Sequence, residues 1–366
     1  MRVTELRLVN FRNYAQMTIR PHSGLCVLTG ENAAGKTNVL ESVFLCALGR
    51  SHRTTHDSEM IRRGEAGAYV DLKLATEQGG REIEIRIPSG DRKQVSIDQT
   101  QISKSSEQIG VLNAVMFAPE DLAIVKDGPS ERRRFLDMTI SQMFPMYYLS
   151  LQQYNAVLRQ RNALLKDPDR LYAGALEAWN GQLALLGANI MLKRAEQTER
   201  LADIASTMHE TLSDGKEFLD MYYEPNVPLS DPAALVDEIR MALEDSRERD
   251  IRYGSTTVGP HRDDLMFSLD GTDVRIYGSQ GQQRTTVLSL KLAQLEVLRE
   301  ERGEAPVLLL DDVFSELDRK RQEMLMVSVQ GCQTFLTCTH LEDLEQAGIQ
   351  ETLKVYRVED GTLTEE

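Results

Sequence analysis

Residues 30–37 have the types and spacing of a phosphate-binding loop. The segment matches GxxxxGK[ST] and comprises Gly30, Glu31, Asn32, Ala33, Ala34, Gly35, Lys36 and Thr37. Glycines let backbone N–H groups curl around phosphate oxygens, and the N-terminus of a following helix adds partial positive charge. Lys36 can bridge the β- and γ-phosphates, and the Thr37 hydroxyl can ligate Mg²⁺. The motif therefore predicts a site for a nucleoside triphosphate and Mg²⁺.

Two adjacent acids follow an apolar run late in the chain. Residues 307–310 are Val-Leu-Leu-Leu, and Asp311 and Asp312 come next. Such a run predicts a buried strand, and open α/β sheets bind ligands at the carboxyl ends of their strands. Asp311 is suited to hold Mg²⁺, and Asp312 to orient or deprotonate an attacking water. The alternative for this pair is a helix N-cap, which Asp also serves.

Two further segments place polar residues at element ends. A Ser-Gly-Gln turn, with Ser279, Gly281 and Gln282, precedes a helical stripe. Across a two-fold dimer such a turn can cap the γ-phosphate of the partner's nucleotide, although by itself it is more typical of a helix cap. His340 ends an apolar strand 28 residues after Asp312. There it can contact a γ-phosphate or be structural.

Hydrophobic periodicity predicts the elements that position these residues. Alternating or apolar runs predict strands at residues 3–8, 25–28, 69–74, 81–87, 307–310, 333–338 and 355–358. Gly79 and Gly80 favour an antiparallel hairpin between two of them. Helical spacing follows the phosphate loop from Lys36 to Leu48.

From residue 119 to about 250 the pattern is helical, and Pro145 should kink or split the first helix. We therefore expect an α/β fold with flanking antiparallel strands, interrupted by a compact all-helical lobe. Residues 1–118 and 251–366 form the α/β part in this interpretation, and residues 119–250 form the lobe.

Composition restricts the class of protein. The 366 residues exceed the size at which single cores stop growing, about 250–300 residues, so two domains are expected. No membrane span or signal peptide is recognisable, which predicts a cytoplasmic protein. The four cysteines lack CxxC spacing, which favours buried free thiols over a zinc site or a disulfide framework.

The net charge of −15 is unevenly distributed. Residues 1–170 hold 23 Lys and Arg against 20 Asp and Glu, giving +3, and residues 171–366 hold 19 against 37, giving −18. Two interpretations fit equally: a solvated acidic half that maintains solubility, or an anion-binding surface in the first half.

The order of these motifs resembles that of an ABC-type ATPase. Residues 279–283, SQGQQ, resemble the ABC signature, which is usually LSGGQ, and residues 315–318 resemble the D-loop. Asp312 stands where most of the class has Glu. The shorter carboxylate implies a slow or conditional hydrolase.

Within that class the sequence is similar to the RecF family of bacterial DNA-repair proteins. The similar stretches run in order through nearly the whole chain, at residues 10–14, 49–53, 118–121, 259–264 and 278–284. The resemblance implies an ABC-type ATPase head with a compact helical insertion and ATP and Mg²⁺ as cofactors. It also implies ATP-driven homodimerisation, binding to single-stranded or gapped DNA, and work with RecO and RecR mediators in recombinational repair, replication restart and SOS induction.

Basic residues near helix ends are the candidates for DNA contacts. An arginine after the phosphate-loop helix contacts nucleotide or DNA in DNA-binding relatives, so Arg50 and Arg53 are candidates here, with a solvated loop as the alternative. Arg132, Arg133 and Arg134 open a helix, where cations are unfavourable. An anionic partner or an ion pair with neighbouring acids explains that run equally well.

Two other functions remain open. An ATP-binding scaffold without significant hydrolysis agrees with the short Asp312 carboxylate. A nucleotide-binding subunit of a transporter would need a surface for a membrane partner, and no segment of the sequence indicates one.

Overall fold

The computed structural model describes residues 1–167, 174–229, 231–339 and 353–366. These residues form two compact units. The first comprises residues 1–121 and 294–366, and the second residues 122–293. The second unit thus includes residues 251–293 in addition to most of the predicted lobe.

The described strands include all seven that the sequence predicts, together with others that it does not. They are β1 (Arg2–Phe11), β2 (Tyr14–Ile19), β3 (Leu25–Thr29), β4 (Gly67–Thr76), β5 (Gly79–Pro88), β6 (Gln94–Ile97), β7 (Thr100–Gln101), β8 (Ala114–Phe117), β9 (Leu219–Glu224), β10 (Asp264–Leu269), β11 (Thr272–Asp273), β12 (Val307–Asp311), β13 (Thr334–Cys338), β14 (Leu353–Glu359) and β15 (Thr362–Glu365).

The described α-helices concentrate in the middle of the chain. They are α1 (Lys36–Leu48), α2 (Ala123–Lys126), α3 (Pro129–Met143), α4 (Pro145–Leu165), α5 (Glu177–Ser213), α6 (Leu235–Asp245), α7 (Arg247–Tyr253), α8 (Val274–Tyr277), α9 (Gln280–Arg302) and α10 (Arg319–Ser328). Pro145 splits the first long stripe as expected, because it begins α4 directly after α3 ends.

The first unit contains two sheets. One is antiparallel, with the described strands in the order β2-β1-β4-β5-β6-β7. The other has the order β15-β14-β3-β13-β12-β8, and all of its described pairs are parallel except the edge pair β14–β15. Every residue of β3, β12 and β13 is buried, which explains their nearly continuous apolar runs.

The parallel register places the functional segments at one edge of the second sheet. Asp311 pairs with Thr337 between β12 and β13, and Thr337 pairs with Leu28 between β13 and β3. The phosphate loop follows β3, and the acid pair closes β12. Parallel strands end at a common edge, so residues far apart in sequence meet there.

The second unit is mainly helical and includes a three-stranded described sheet, β11-β10-β9. Strand β9 lies inside the segment predicted to be all-helical, so that prediction is wrong for Leu219–Glu224. The strand alternates, with Leu219 and Met221 buried, and pairs with β10 over its whole length. Its alternation was the available signal, and the helical periodicity on both sides obscured it.

Other expectations from composition can be compared with the structure directly. Cys26, Cys46, Cys332 and Cys338 are all buried and free, as predicted. Among the residues that the structure describes, no helix combines the length and apolarity needed to cross a bilayer.

Candidate nucleotide-binding site

The phosphate loop has a backbone that only glycine can adopt at two positions. Gly30 has φ +148°, and a Cβ there would lie 2.2 Å from the carbonyl oxygen of Val358. Gly35 has φ +119°, and a Cβ there would lie 2.5 Å from Nδ2 of Asn13. The motif glycines are therefore required both by backbone conformation and by close packing of neighbouring segments.

Lys36 lies within the curl of the loop. Its ammonium donates hydrogen bonds to the carbonyls of Gly30, at 2.5 Å, and Glu31, at 3.0 Å. Burial lowers the pKa of Lys36, and the nearby carboxylates of Asp312 and Asp311 oppose that shift. A cation held in this way is available to a phosphate group in the loop.

The two predicted Mg²⁺ ligands are in direct contact. Thr37 Oγ1 donates to Oδ1 of Asp311 at 2.9 Å, although the two residues are 274 positions apart. Burial raises the pKa of Asp311, while hydrogen bonds from Thr337 and Thr37 lower it. A hydroxyl and a buried carboxylate are hard oxygen donors of the kind that Mg²⁺ prefers, so these residues fit the ion.

Thr337 joins the two acids and was not predicted from sequence. Its Oγ1 atom donates to Oδ1 of Asp311 at 2.8 Å and accepts from the backbone N–H of Asp312 at 2.9 Å. Thr337 lies near the end of β13, two residues before Thr339. Its spacing carries no signal, because only the strand register brings it to the acids.

Asp312 is exposed and has an unusual backbone conformation. Its φ is +50°, and it occupies the N-cap position of a short 3₁₀ turn, Val313–Glu316. Its side chain makes no capping hydrogen bond there, so the carboxylate does not perform the alternative role of a cap. Asp312 lines a cleft of about 420 Å³ together with the loop, Asp311 and Thr337.

A chain of amides connects the loop to Arg53. Asn13 Nδ2 donates to the carbonyl of Ala34 at 2.7 Å, and Asn38 Nδ2 donates to Asn13 Oδ1 at 2.8 Å. Arg53 Nη1 donates to Asn38 Oδ1 at 3.0 Å. Asn13 lies in the stretch 10–14 that carries the family resemblance, which was the available signal for it.

Of the two candidate arginines, the structure brings only Arg53 to the cleft. Arg53 lines the cleft and its side chain is 43% exposed. Arg50 is exposed in the turn after α1 and is not one of the cleft residues.

Glu41 anchors the segment that bears Arg53. This fully buried carboxylate accepts two bonds from Arg12, at 2.8 and 2.6 Å, and one from Ser51 Oγ at 2.5 Å. Burial acts to raise the pKa of Glu41, but the Arg12 and Ser51 hydrogen bonds outweigh burial, so the pKa is lowered. The pair with Arg12 ties α1 to the turn between β1 and β2.

The signature turn, residues 278–284, lies in the second unit. Ser279 and Gln282 form a reciprocal cap: Ser279 N–H donates to Gln282 Oε1 at 2.8 Å, and Gln282 N–H donates to Ser279 Oγ at 3.2 Å. Gly281 is exposed in the first turn of α9. The turn is therefore a helix cap within one chain, which does not prevent its exposed face from contacting a second chain.

In the basic run that opens α3, Arg132 and Arg134 are paired with acids and Arg133 is bonded to a backbone carbonyl. The Arg132 guanidinium is buried and donates to both oxygens of Asp264, at 2.7 and 2.9 Å. Arg133 donates to the carbonyl of Asp263 at 2.6 Å, and Arg134 lies 3.6 Å from Glu131. Of the two explanations left open by the sequence, the ion pair is the one observed. His340, the predicted γ-phosphate contact, lies outside the described residues.

Comparisons with known proteins show the family of the chain. The family described as "RecF/RecN/SMC N terminal domain" matches residues 2–364. The "DNA replication and repair protein RecF" of Acetivibrio thermocellus is 44% identical over 366 residues, covering 99% of both chains. That of Alkaliphilus oremlandii is 45% identical over 348 residues, covering 94% of this chain and 95% of its own. The chain belongs to the RecF family.

Solved structures place the RecF-family fold in a wider group. The "Structure of the recombination mediator protein RecF-ATPrS in RecFOR pathway" covers 100% of this chain and 98% of its own, with TM-score 0.92 and 34% identity. An Smc head domain from Pyrococcus furiosus covers 100% of this chain and 95% of its own, with TM-score 0.57 and 16% identity. The RecF fold of this chain is therefore an ABC-type head of the kind also present in SMC proteins.

Proposed function

We propose that this RecF-family chain binds ATP and Mg²⁺ at the phosphate-loop cleft and hydrolyses ATP slowly to ADP and phosphate. The observation that carries the proposal is the convergence of Lys36, Thr37 and Asp311 on one cleft, from opposite ends of the chain. Support also comes from solved RecF relatives described with ATP and with ATPrS.

Each residue of the cleft has a role in this reaction. Loop N–H groups and the Lys36 ammonium bind phosphate oxygens, and Thr37 and Asp311 would hold the metal. Mg²⁺ would neutralise the charge of the phosphates. The Asp312 carboxylate orients the attacking water and takes its proton.

ATP also drives assembly in this proposal. Two chains associate head to tail, and the signature turn of each, through Ser279, Gly281 and Gln282, caps the γ-phosphate held by the other. His340 contacts the same phosphate. Because the partner caps the γ-phosphate, association depends on a bound triphosphate. Hydrolysis of ATP then allows the dimer to dissociate.

The dimer binds single-stranded or gapped DNA during recombinational repair, replication restart and SOS induction, together with RecO and RecR. The names of the relatives, DNA replication and repair proteins and a recombination mediator of the RecFOR pathway, support this assignment. The chain has a net charge of −15, so DNA binding requires locally basic surface. Arg53, at the rim of the cleft, is the candidate that joins nucleotide to DNA.

A second candidate function is an ATP-binding scaffold without significant hydrolysis. Asp312 favours it, because an aspartate carboxylate reaches one methylene less far than a glutamate. Measurement of phosphate release with and without DNA separates the two functions.

Sedimentation tests the proposal as a whole. The protein is run with ATP, with ADP and without nucleotide, each with and without gapped DNA. We expect a dimer only in the presence of ATP, and we expect that dimer to remain bound to gapped DNA. A monomer under all six conditions would refute ATP-driven assembly.

A further inference from the structure

The Gln282 side chain of the signature turn is held at both ends within the second unit. Its Oε1 atom accepts from the N–H of Ser279 at 2.8 Å, and its Nε2 atom donates to Oε1 of Glu217 at 2.9 Å. The carboxamide oxygen can only accept and its nitrogen can only donate. These two partners therefore determine which way the amide faces.

Glu217 is held in turn by a buried histidine of α5. His209 has 0% exposure, and its Nε2 atom lies 3.2 Å from Oε2 of Glu217. Its Nδ1 atom lies 3.1 Å from Oγ of Ser289, which belongs to α9. A buried imidazole is costly unless its nitrogens are paired, so these contacts favour one position of the ring and of Glu217.

We infer that Glu217 and His209 are positioning residues for the signature turn. His209 holds Glu217, Glu217 orients the Gln282 amide, and the oriented amide closes the cap on Ser279. In this cap Ser279 Oγ is an acceptor. Within the described ranges no acceptor takes its hydroxyl hydrogen, which is thus available to a phosphate oxygen. The inference rests on the proposed function, in which this turn caps the partner's nucleotide.

The expected effect falls on assembly and not on nucleotide binding by the monomer. The hydrogen bond from Ser279 to a phosphate oxygen is a bond to a charged group. At the low end of the range for such bonds, its loss weakens association by on the order of tenfold at each turn. A two-fold dimer contains two such turns, so Glu217→Ala should raise the dimer dissociation constant about a hundredfold. The phosphate loop belongs to the first unit, so the affinity of the monomer for ATP should be unchanged.

Exchanging the donor, Gln282, and the acceptor, Glu217, separates the positioning role of Glu217 from a general contribution to folding. In Gln282→Glu a carboxylate faces Glu217, so the same assembly defect is expected. A carboxylate in the first turn of a helix is favourable, so this variant should fold even if Glu217→Ala does not. Because Gln282 itself belongs to the γ-phosphate cap, the orienting role is read from the rescue of this variant by a second change at Glu217. The double variant Glu217→Gln with Gln282→Glu restores the bond in the opposite direction and should recover most of the dimer.

The assays are sedimentation with ATP over a protein dilution series and ATP titration at concentrations where the protein is monomeric. Asp220→Ala, which removes an exposed acid on β9, is the matched control and should behave as wild type. Ser279→Arg tests the proposed function itself. If Ser279→Arg blocks the dimer while Glu217→Ala and Gln282→Glu do not, the positioning role is wrong and the proposed function stands. If Ser279→Arg also dimerises, the signature assignment fails. A double variant as defective as Gln282→Glu would refute the orienting bond.

Discussion

Replacing Asp312 with Asn separates ATP binding from ATP hydrolysis in the proposed cycle. The side chain keeps its shape and loses the negative charge that would polarise the attacking water. Asn is among the residues that best tolerate a positive φ, and Asp312 is exposed with φ +50°. The free energy of unfolding should therefore change by less than about 0.5 kcal/mol.

The structure also predicts the effect of Asp312→Asn on nucleotide affinity. Thr37, Asp311 and Thr337 retain their mutual hydrogen bonds, so the candidate metal ligands stay in place. The change removes an anion from a cleft that would receive a polyanion. ATP affinity should therefore be equal to or higher than that of the wild type.

The main loss should be in turnover. Removing a general base commonly costs a factor of about 10²–10⁴, equivalent to about 3–5 kcal/mol in the activation barrier. The variant should accumulate as an ATP-bound dimer with long-lived DNA complexes. Asp312→Glu, which keeps a carboxylate, is the control and should retain measurable turnover.

Three measurements are needed on the same preparations: phosphate release, dimer fraction and DNA dissociation rate. Unchanged phosphate release in Asp312→Asn would mean that Asp312 is not the catalytic carboxylate. Slower phosphate release with unchanged DNA dissociation would mean that hydrolysis does not time release, and the clamp mechanism would fail.

Four other perturbations test separate parts of the structure. Lys36→Ala should abolish ATP binding with unchanged melting, because its ammonium lies in the loop and packs in no core; wild-type affinity in a labelled-ATP filter assay would contradict this. Ser279→Arg should leave ATP binding by the monomer intact and block the ATP-induced dimer, since the larger side chain fills the space for the partner's phosphate; the mass by sedimentation decides. DNA binding should require ATP, and log affinity should fall linearly with log salt, with a slope of about −0.9 per duplex phosphate neutralised; equal binding by the nucleotide-free monomer would refute it. Glu41→Ala should lower the free energy of unfolding by about 3 kcal/mol, measured in urea, because it leaves Arg12, 18% exposed, without its carboxylate. Because the pKa of Glu41 is lowered in the fold, the wild type should also lose stability as pH falls below the usual glutamate range.

Local patterns were sufficient to predict the strands and the helix that flank the phosphate loop and the acid pair. The alternation at β1, the apolar run at β12 and the helix after Gly35 all occur where the sequence predicts them. Each signal is short-range, because strand and helix periodicity and the glycine positions depend on a few neighbouring residues. Thr37 and Asp311, which the sequence predicts separately as Mg²⁺ ligands, are in contact.

Only the tertiary structure decided which distant residues complete the sites. Thr337 bridges the acid pair, Asn13 holds the loop carbonyl, and Glu217 orients Gln282 from 65 positions away. The sequence around Arg132 fits an anionic ligand and an ion pair equally well. The ion-pair partner, Asp264, is 132 positions away in the chain. Hydrogen-bond partners of this kind depend on strand register and helix packing, which no local spacing encodes. The sequence by itself thus predicted the candidate reacting groups, and the fold determined which residues contact them.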